Sequence, residues 1–378
     1  MGAGIEAAAD LAWSAWRRSA AYTVGVEEEV MLLDPGGGGL AQRADDVLPE
    51  LAEALAGRIS GETHQAALEL SCSPHATVAG AQRELAGLRT RLADALEALG
   101  VSAAVSGVHP VTPASETEVS PAGRYQLILR TMRELARREP TFALHVHVGV
   151  PDPEDAIRLM NRLRVHLPLL LALSANSPFR AGRSTGLAST RTSLFQAFPR
   201  TGIPRAFASY EDWVATVGLM LRCAAIPEAT FLWWDVRAQP RFGTVEVRVM
   251  DAQTEVGRAA ALAALVQGLA RMELEEGLAT PMQIAAGELL AENRFLAARD
   301  GMEAELLDPD TGSRRPARAV LATVLDAVRP HAQDAGADAY LDELEHGELG
   351  YARQRAAAAA GGGPAAVVAD LASRFRPA

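Results

Sequence analysis

The chain has 378 residues, 49% hydrophobic and 22% charged, which is the balance of a globular protein with a sizeable core. Its 36 Lys and Arg against 47 Asp and Glu leave a net charge of −11, which disfavours nucleic acid and anionic membranes as partners. Two cysteines, Cys72 and Cys223, are too few for a disulfide framework and lack the spacing of a zinc site. Both are expected to be buried apolar residues, and a reducing cytoplasm fits them. No stretch of 18 consecutive apolar residues is present to span a bilayer.

From the N-terminus, MGAGIEAAADLAWSAWRRSA lacks the charge order of a secretory signal, with acids early and the Arg pair late. It reads as a short amphipathic helix with Trp13 and Trp16 on one side, an extension over residues 1–20 ahead of a single domain at 21–378. Tyr22–Leu33 is a strand closed by the turn DPGGGG, and Gln65–Cys72 is a second strand. Leucines at 85, 88, 92, 96 and 99 mark a helix over Val78–Leu99. Val101–Val108 reads as a strand, Ala122–Arg138 as a helix and Thr141–Val150 as a strand. A helix then starts behind Asp152, the expected N-cap, with acids in its first turn.

Ser174–Phe207 has no clean periodicity, and a loop of that length inside a compact domain is expected to be functional. Glu211–Ala225 is helical, and Phe231–Val236 and Thr244–Met250 are strands. After Asp251 the pattern is almost wholly helical, broken by DPDTG and AGAD. The AAAAAGGGPAA run near 356–366 reads as a mobile linker or frayed end. Strands and helices that do not strictly alternate predict an α+β fold, an antiparallel sheet with helices packed on one face.

Residues two apart in a strand share a face. Glu27 and Glu29 in GVEEEV therefore point one way and Glu28 the other, as a salt-bridge partner. His145 and His147 share a face in ALHVHVG, as do Thr244, Glu246 and Arg248 in TVEVRVM. In QAALELS, Glu69 shares a face with Gln65 and Ser71. Four strands thus pair an apolar face with one bearing carboxylates, imidazoles and a guanidinium. Clustered carboxylates repel one another and call for a cation. Oxygen ligands with one or two imidazoles suit Mg²⁺ or Mn²⁺ better than zinc, and such a cluster commonly holds nucleotide phosphates.

Five blocks in order, GVEEEVMLLDP, ETHQAALELSCSP, LHVHVGVPD, LLALSANSPFRAGRSTGLASTRTSLFQAFPRTGIP and WWDVRAQPRFGTVEVRVMDAQT, resemble the glutamate–cysteine ligase 2 group of carboxylate–amine ligases. The resemblance covers about residues 22–255 and implies a glutamine-synthetase-like curved antiparallel sheet whose polar face holds ATP and Mg²⁺. It implies Glu27, Glu29, Glu62 and Glu69 as metal ligands. His145 and Glu246 would contact the metal cluster or the nucleotide, Arg248 would lie at the transferred phosphoryl group, and His147 near the substrate. The activity implied is amide formation through an acyl-phosphate, with glutamate and cysteine giving γ-glutamylcysteine as the named pair. In the long loop, Arg191, Thr185 and Ser189 are expected to contact a substrate carboxylate or cover the site, with Arg237 a further candidate. Ser184, Ala238 and Phe195 stand where the group usually has an acid, a proline and a tryptophan, which bears on substrate identity. A homodimer is also implied. A kinase-like phosphotransfer or a non-catalytic nucleotide-binding relative are the alternative readings.

Overall fold

The computed structural model describes residues 12–36, 38–138 and 140–377. Seven strands form its main sheet: β1 (Val24–Leu33), β2 (Ile59–Gly61), β3 (Ala67–Ser71), β4 (Ser102–Ala104), β5 (Ala143–Gly149), β6 (Val236–Gln239) and β7 (Thr244–Asp251). The order is β6-β7-β5-β1-β3-β2, with β4 pairing the far end of β1, and every pairing is antiparallel.

One face of the sheet is covered by three helices, α1 (Val78–Ala98), α2 (Pro153–Ser174) and α3 (Val256–Glu275). Each has a local cause. Thr77 caps α1 by accepting from the Gly80 amide, and Asp152 caps α2 by accepting from Glu154 and Asp155. The α3 sequence is apolar on nearly every side, which marks a helix buried all round, and 16 of its 20 residues are buried. Against these helices the sheet presents Val24, Val26, Val30, Leu68, Leu70, Leu144, Val146, Val148, Val245 and Val247, all buried in one core that runs to Phe375. The same face carries Glu28, fully buried against Arg89 of α1. The expected α+β architecture is therefore present.

Several expectations are corrected. The expected N-terminal helix falls largely on residues 1–11, which lie outside the described residues; among the described part, 12–20, only Ala12–Ser14 is helical, as a 3-10 turn. The strand expected over Val101–Val108 shrinks to β4, and the Ala122–Arg138 helix ends at Met132 before a 3-10 stretch. DPDTG is the tip of a hairpin pairing Glu305–Asp308 with Ser313–Pro316, hidden by the helical text around it. The alanine-rich run is no frayed linker: Gly350–Ala359 and Gly363–Ser373 are helices packed against each other, and Tyr351, Val367, Val368 and Leu371 anchor them. Cys72 is only partly buried and Cys223 is exposed at the end of the Tyr210–Arg222 helix, so the expected full burial is corrected for both. Among the described residues no helix is long and apolar enough to cross a membrane.

Candidate active site

The second face of the sheet floors a cavity of about 420 Å³. Strand register aligns its functional groups. Glu27 of β1 stands opposite His145 of β5 and Ser71 of β3, Glu29 stands opposite Glu69, and Glu246 of β7 stands opposite both His147 and Arg237. Glu62 follows β2 directly and faces the same space. The structure thus brings together Glu27, Glu29, Glu62, Glu69, His145, His147, Arg191, Arg237, Glu246 and Arg248.

His145 lies between two carboxylate pairs. Glu27, His145 and Glu246 can offer ligand atoms all within 4.8 Å of one another, and so can Glu29, Glu69 and His145. His145 Nδ1 lies 3.3 Å from Glu27, and its Nε2 lies 3.9 Å from Glu29. His147 donates or accepts at Nδ1 with Thr244 at 2.9 Å, and its Nε2 lies 3.5 Å from Glu27 and 3.8 Å from Glu246. Both Nε2 atoms are buried without a hydrogen-bond partner. Unsatisfied buried nitrogens are costly, and carboxylate oxygens grouped around them match the donor set of a hard divalent cation. The residues present therefore fit Mg²⁺ or Mn²⁺.

The titration of the cluster follows the same geometry. Burial pushes Glu29 up to about 8, aided by the Glu62 charge, and raises Glu69 strongly, aided by Glu27, Glu62 and Glu29. Burial raises Glu62 as well. Burial would also raise Glu27, but the neighbouring His147 charge and the hydrogen bond with His145 hold it below the usual carboxylate range. Glu246 is held far down against its burial by Arg237 and Arg248. Burial, with the Arg248 charge, lowers His145 to about 4, whereas Glu246 and Glu27 raise His147 against its burial. One end of the cavity is a permanent ion-pair network, and the other holds carboxylates that resist ionising without a cation.

Glu246 is the centre of that network. Arg237 donates to it at 2.6 and 3.2 Å, Gln239 at 2.7 Å, and Arg248 through NH1. Arg237 directs its NH1 to the carbonyls of Thr230 and Leu232, so it lines the cavity as a counter-charge to Glu246. Arg248 also approaches His145 Nδ1 at 3.4 Å, and its Nε is unpartnered.

The long loop places its candidates differently. Thr185 bonds the Pro178 carbonyl and Thr190, while Ser189 caps the Thr190–Phe195 helix and donates to Asp251. Neither lines the cavity. The substrate contact expected of these two hydroxyls is corrected, because their capacity is committed to the loop's own fold. Arg191 does line the cavity, yet its terminal nitrogens donate to the Val249 and Arg248 carbonyls, both at 3.1 Å.

Alternation alone misses part of the wall. Phe195, Phe198 and Trp233 pack in series along one side, with ring centroids 5.7 and 6.0 Å apart. Arg124, Arg241 and Phe242 also line the cavity, the last two exposed on the β6–β7 turn, where Phe242 meets the His147 ring edge-on at 5.9 Å. The clustered aromatics between Phe195 and Phe242 are the signal that points to them. A second, more apolar cavity of about 250 Å³ lies between α2 and the hairpin at 305–316 and lacks any such charged set.

Residues 23–360 match the glutamate–cysteine ligase family 2 model. A protein of Rubrobacter xylanophilus, provisionally named glutamate–cysteine ligase 2-1, is 40% identical over 94% of this chain and 96% of its own. A Roseiflexus protein, provisionally named glutamate–cysteine ligase 2, is 36% identical over 85% of this chain and 83% of its own. Among solved structures, a Francisella tularensis glutamate–cysteine ligase in complex with AMP superposes with a TM-score of 0.70 over 94% of this chain and 89% of that one, at 14% identity. At that identity the likeness is one of fold.

Proposed function

The chain is a ligase of the glutamate–cysteine ligase family 2, and from that premise we propose that it uses ATP to join a carboxylate to an amine through an acyl-phosphate. The observation that carries the reading is the pair of carboxylate–imidazole groups sharing His145, set beside Arg248 on one sheet face. The nucleotide held by the solved ligase of like fold supports ATP as the phosphoryl donor.

In this reading Glu27, His145 and Glu246 on one side, and Glu29, Glu69 and His145 on the other, hold divalent cation, with Glu62 beside them. Bound there, Mg²⁺ would offset the charge of the ATP phosphates. Arg248 aims its planar fork at the phosphoryl group in transfer, and Glu246 holds that fork in place. A substrate carboxylate attacks the γ-phosphorus, ADP leaves, and the resulting acyl-phosphate carries a good leaving group. The second substrate's amine attacks the acyl carbon, phosphate departs, and the amine gives up its proton. The aromatic wall of Phe195, Phe198 and Trp233 limits water, which would otherwise hydrolyse the acyl-phosphate. Arg241 supplies positive charge at the cavity wall for a substrate carboxylate, beside an Arg124 already paired with Glu228, and glutamate with cysteine is the first pair to offer. ATP, Mg²⁺ and a carboxylate with hydroxylamine in place of the amine should yield the acyl hydroxamate. Its absence, with ADP nonetheless formed, would replace the acyl-phosphate with direct phosphotransfer.

A further inference from the structure

We infer that Arg191 is a positioning residue whose work is to hold open a bulge in β7 and so aim Arg248 into the cavity. The inference rests on the proposed role of Arg248 at the transferred phosphoryl group.

The bulge is written in the register. Val247 pairs with Val146, but Met250 pairs with Leu144, so three steps along β7 match two along β5. One extra residue, at Arg248–Val249, therefore stands opposite His145. In a regular strand successive carbonyls point to opposite edges. Here the Arg248 and Val249 carbonyls both turn to the same guanidinium, each 3.1 Å from a terminal nitrogen of Arg191. The Arg248 amide keeps its bond to the Asp235 carbonyl at 2.8 Å, so the distortion is confined to the side that Arg191 reads.

The extra residue also changes which face the next side chains take. Without it, Asp251 would fall on the core face with Val245 and Val247. With it, Asp251 turns to the loop and accepts from Ser177 at 2.7 Å, Ser189 at 2.8 Å and the Asn176 amide at 2.9 Å. Arg191 is fastened from the same direction: its amide donates to Ser177, its guanidinium lies 3.8 Å from Asp251, and its plane covers Phe195 at 5.8 Å. Gly107 leaves room for this junction, since a Cβ there would sit 2.6 Å from the Asp251 carboxyl. The long loop thus has a buried cation pinned on the two carbonyls that flank the Val249 amide. A guanidinium meets both carbonyls with two donors fixed in one plane, whereas an ammonium on a flexible stem lacks that rigid spacing.

If Arg191 acts through Arg248, the two must act as a unit. The test is a cycle of Arg191→Gln, Arg248→Gln and the double variant, with Arg191→Lys as the conservative member, read as affinity for ATP and for ADP in Mg²⁺. The expected result is that Arg248→Gln and Arg191→Gln each weaken ATP about tenfold and leave ADP unchanged. The double variant should be no worse than Arg248→Gln alone. Arg191→Lys should fall between. Multiplying effects in the double variant would overturn the inference, as would a lowered melting point with the ATP-to-ADP ratio intact. If Arg248→Gln itself leaves the ratio intact, the phosphoryl role of Arg248 falls, and the clamp is then judged by amide exchange at Val249 and Met250. Faster exchange in Arg191→Gln keeps the clamp, and unchanged exchange ends it.

Discussion

The block Glu27-Glu28-Glu29 places three identical side chains in two unlike environments, and Glu28→Gln separates them. Both oxygens of Glu28 are bound by Arg89, at 2.7 Å from Nε and 2.5 Å from NH2, with neither side chain exposed. Arg89 directs its other donors to the Gln253 and Thr254 carbonyls at 2.6 Å, so it cannot swing to another anion. Removing the carboxylate leaves a guanidinium buried and uncompensated, a change that costs about 3–5 kcal/mol. For 378 residues the unfolding entropy is about 0.8 kcal/mol per kelvin. Thermal unfolding followed by circular dichroism should then fall by about 4–6 °C. Replacing both partners with leucine should recover most of that loss, because a matched apolar pair avoids the desolvation that the ion pair carries. A Glu28→Gln protein melting within about 1 °C of the wild type would refute the reasoning, since it would mean the buried charge finds other compensation.

Glu27→Gln should instead abolish turnover of ATP while the fold is kept, with at most a modest fall in melting point, because this carboxylate faces the cavity beside His145 and His147. Turnover retained with a normal melting curve would remove Glu27 from the cation site. His109 should give acid sensitivity: burial lowers it to about 4, its Nδ1 accepts from the Thr112 amide and its Nε2 donates to the Gly38 carbonyl. Its folded value lies below its unfolded value of about 6.5, so its contribution is complete above that pH and is lost as pH falls toward 4. The contribution is roughly 3 kcal/mol, and His109→Gln should flatten the stability profile across that window; an unchanged slope would count against it. The N-terminal segment should support the cavity mouth. Its Arg17 amide bonds the Pro240 carbonyl at 2.9 Å, Ser19 bonds Gly243 at 2.6 Å, and Trp16 bonds Val150 at 2.9 Å. Gly243→Val would thrust a side chain at the Arg17 carbonyl, 1.9 Å from any Cβ there. We expect its KM for substrate to rise severalfold through the displaced Arg241 and Phe242, and an unchanged KM would make the segment a bystander.

Most of the cavity floor is legible in the sequence alone, for a simple reason. Period-two alternation assigns faces without knowledge of neighbours, so parity by itself sorts Glu27, Glu29, His145, His147, Glu246 and Arg248 from Glu28 and the valines. The parity argument fails where a strand gains a residue. Asp251 joins the polar side only because of the bulge, and nothing in TVEVRVMD announces it. Composition groups Arg191, Thr185 and Ser189, yet composition cannot distinguish a hydroxyl aimed at a ligand from one capping its own helix. Two other misses have different causes: at 305–316 the DPDTG turn is real but its four-residue strands are hidden in helical text, and at 350–373 tertiary packing outweighs the local glycine signal. Apolar text from Phe231 to Val236 suggests one strand ending at Val236; the chain instead breaks at Asp235, which a buried Arg294 holds from a distant helix.

The most direct measurement is phosphate release from ATP and Mg²⁺ across a panel of amino acids offered singly and in pairs. The account predicts release that needs one carboxylate and one amine together, stops in Glu27→Gln and names the substrates by the pair that works. Release that is indifferent to the amine, or none with any pair while ATP binds, would contradict it.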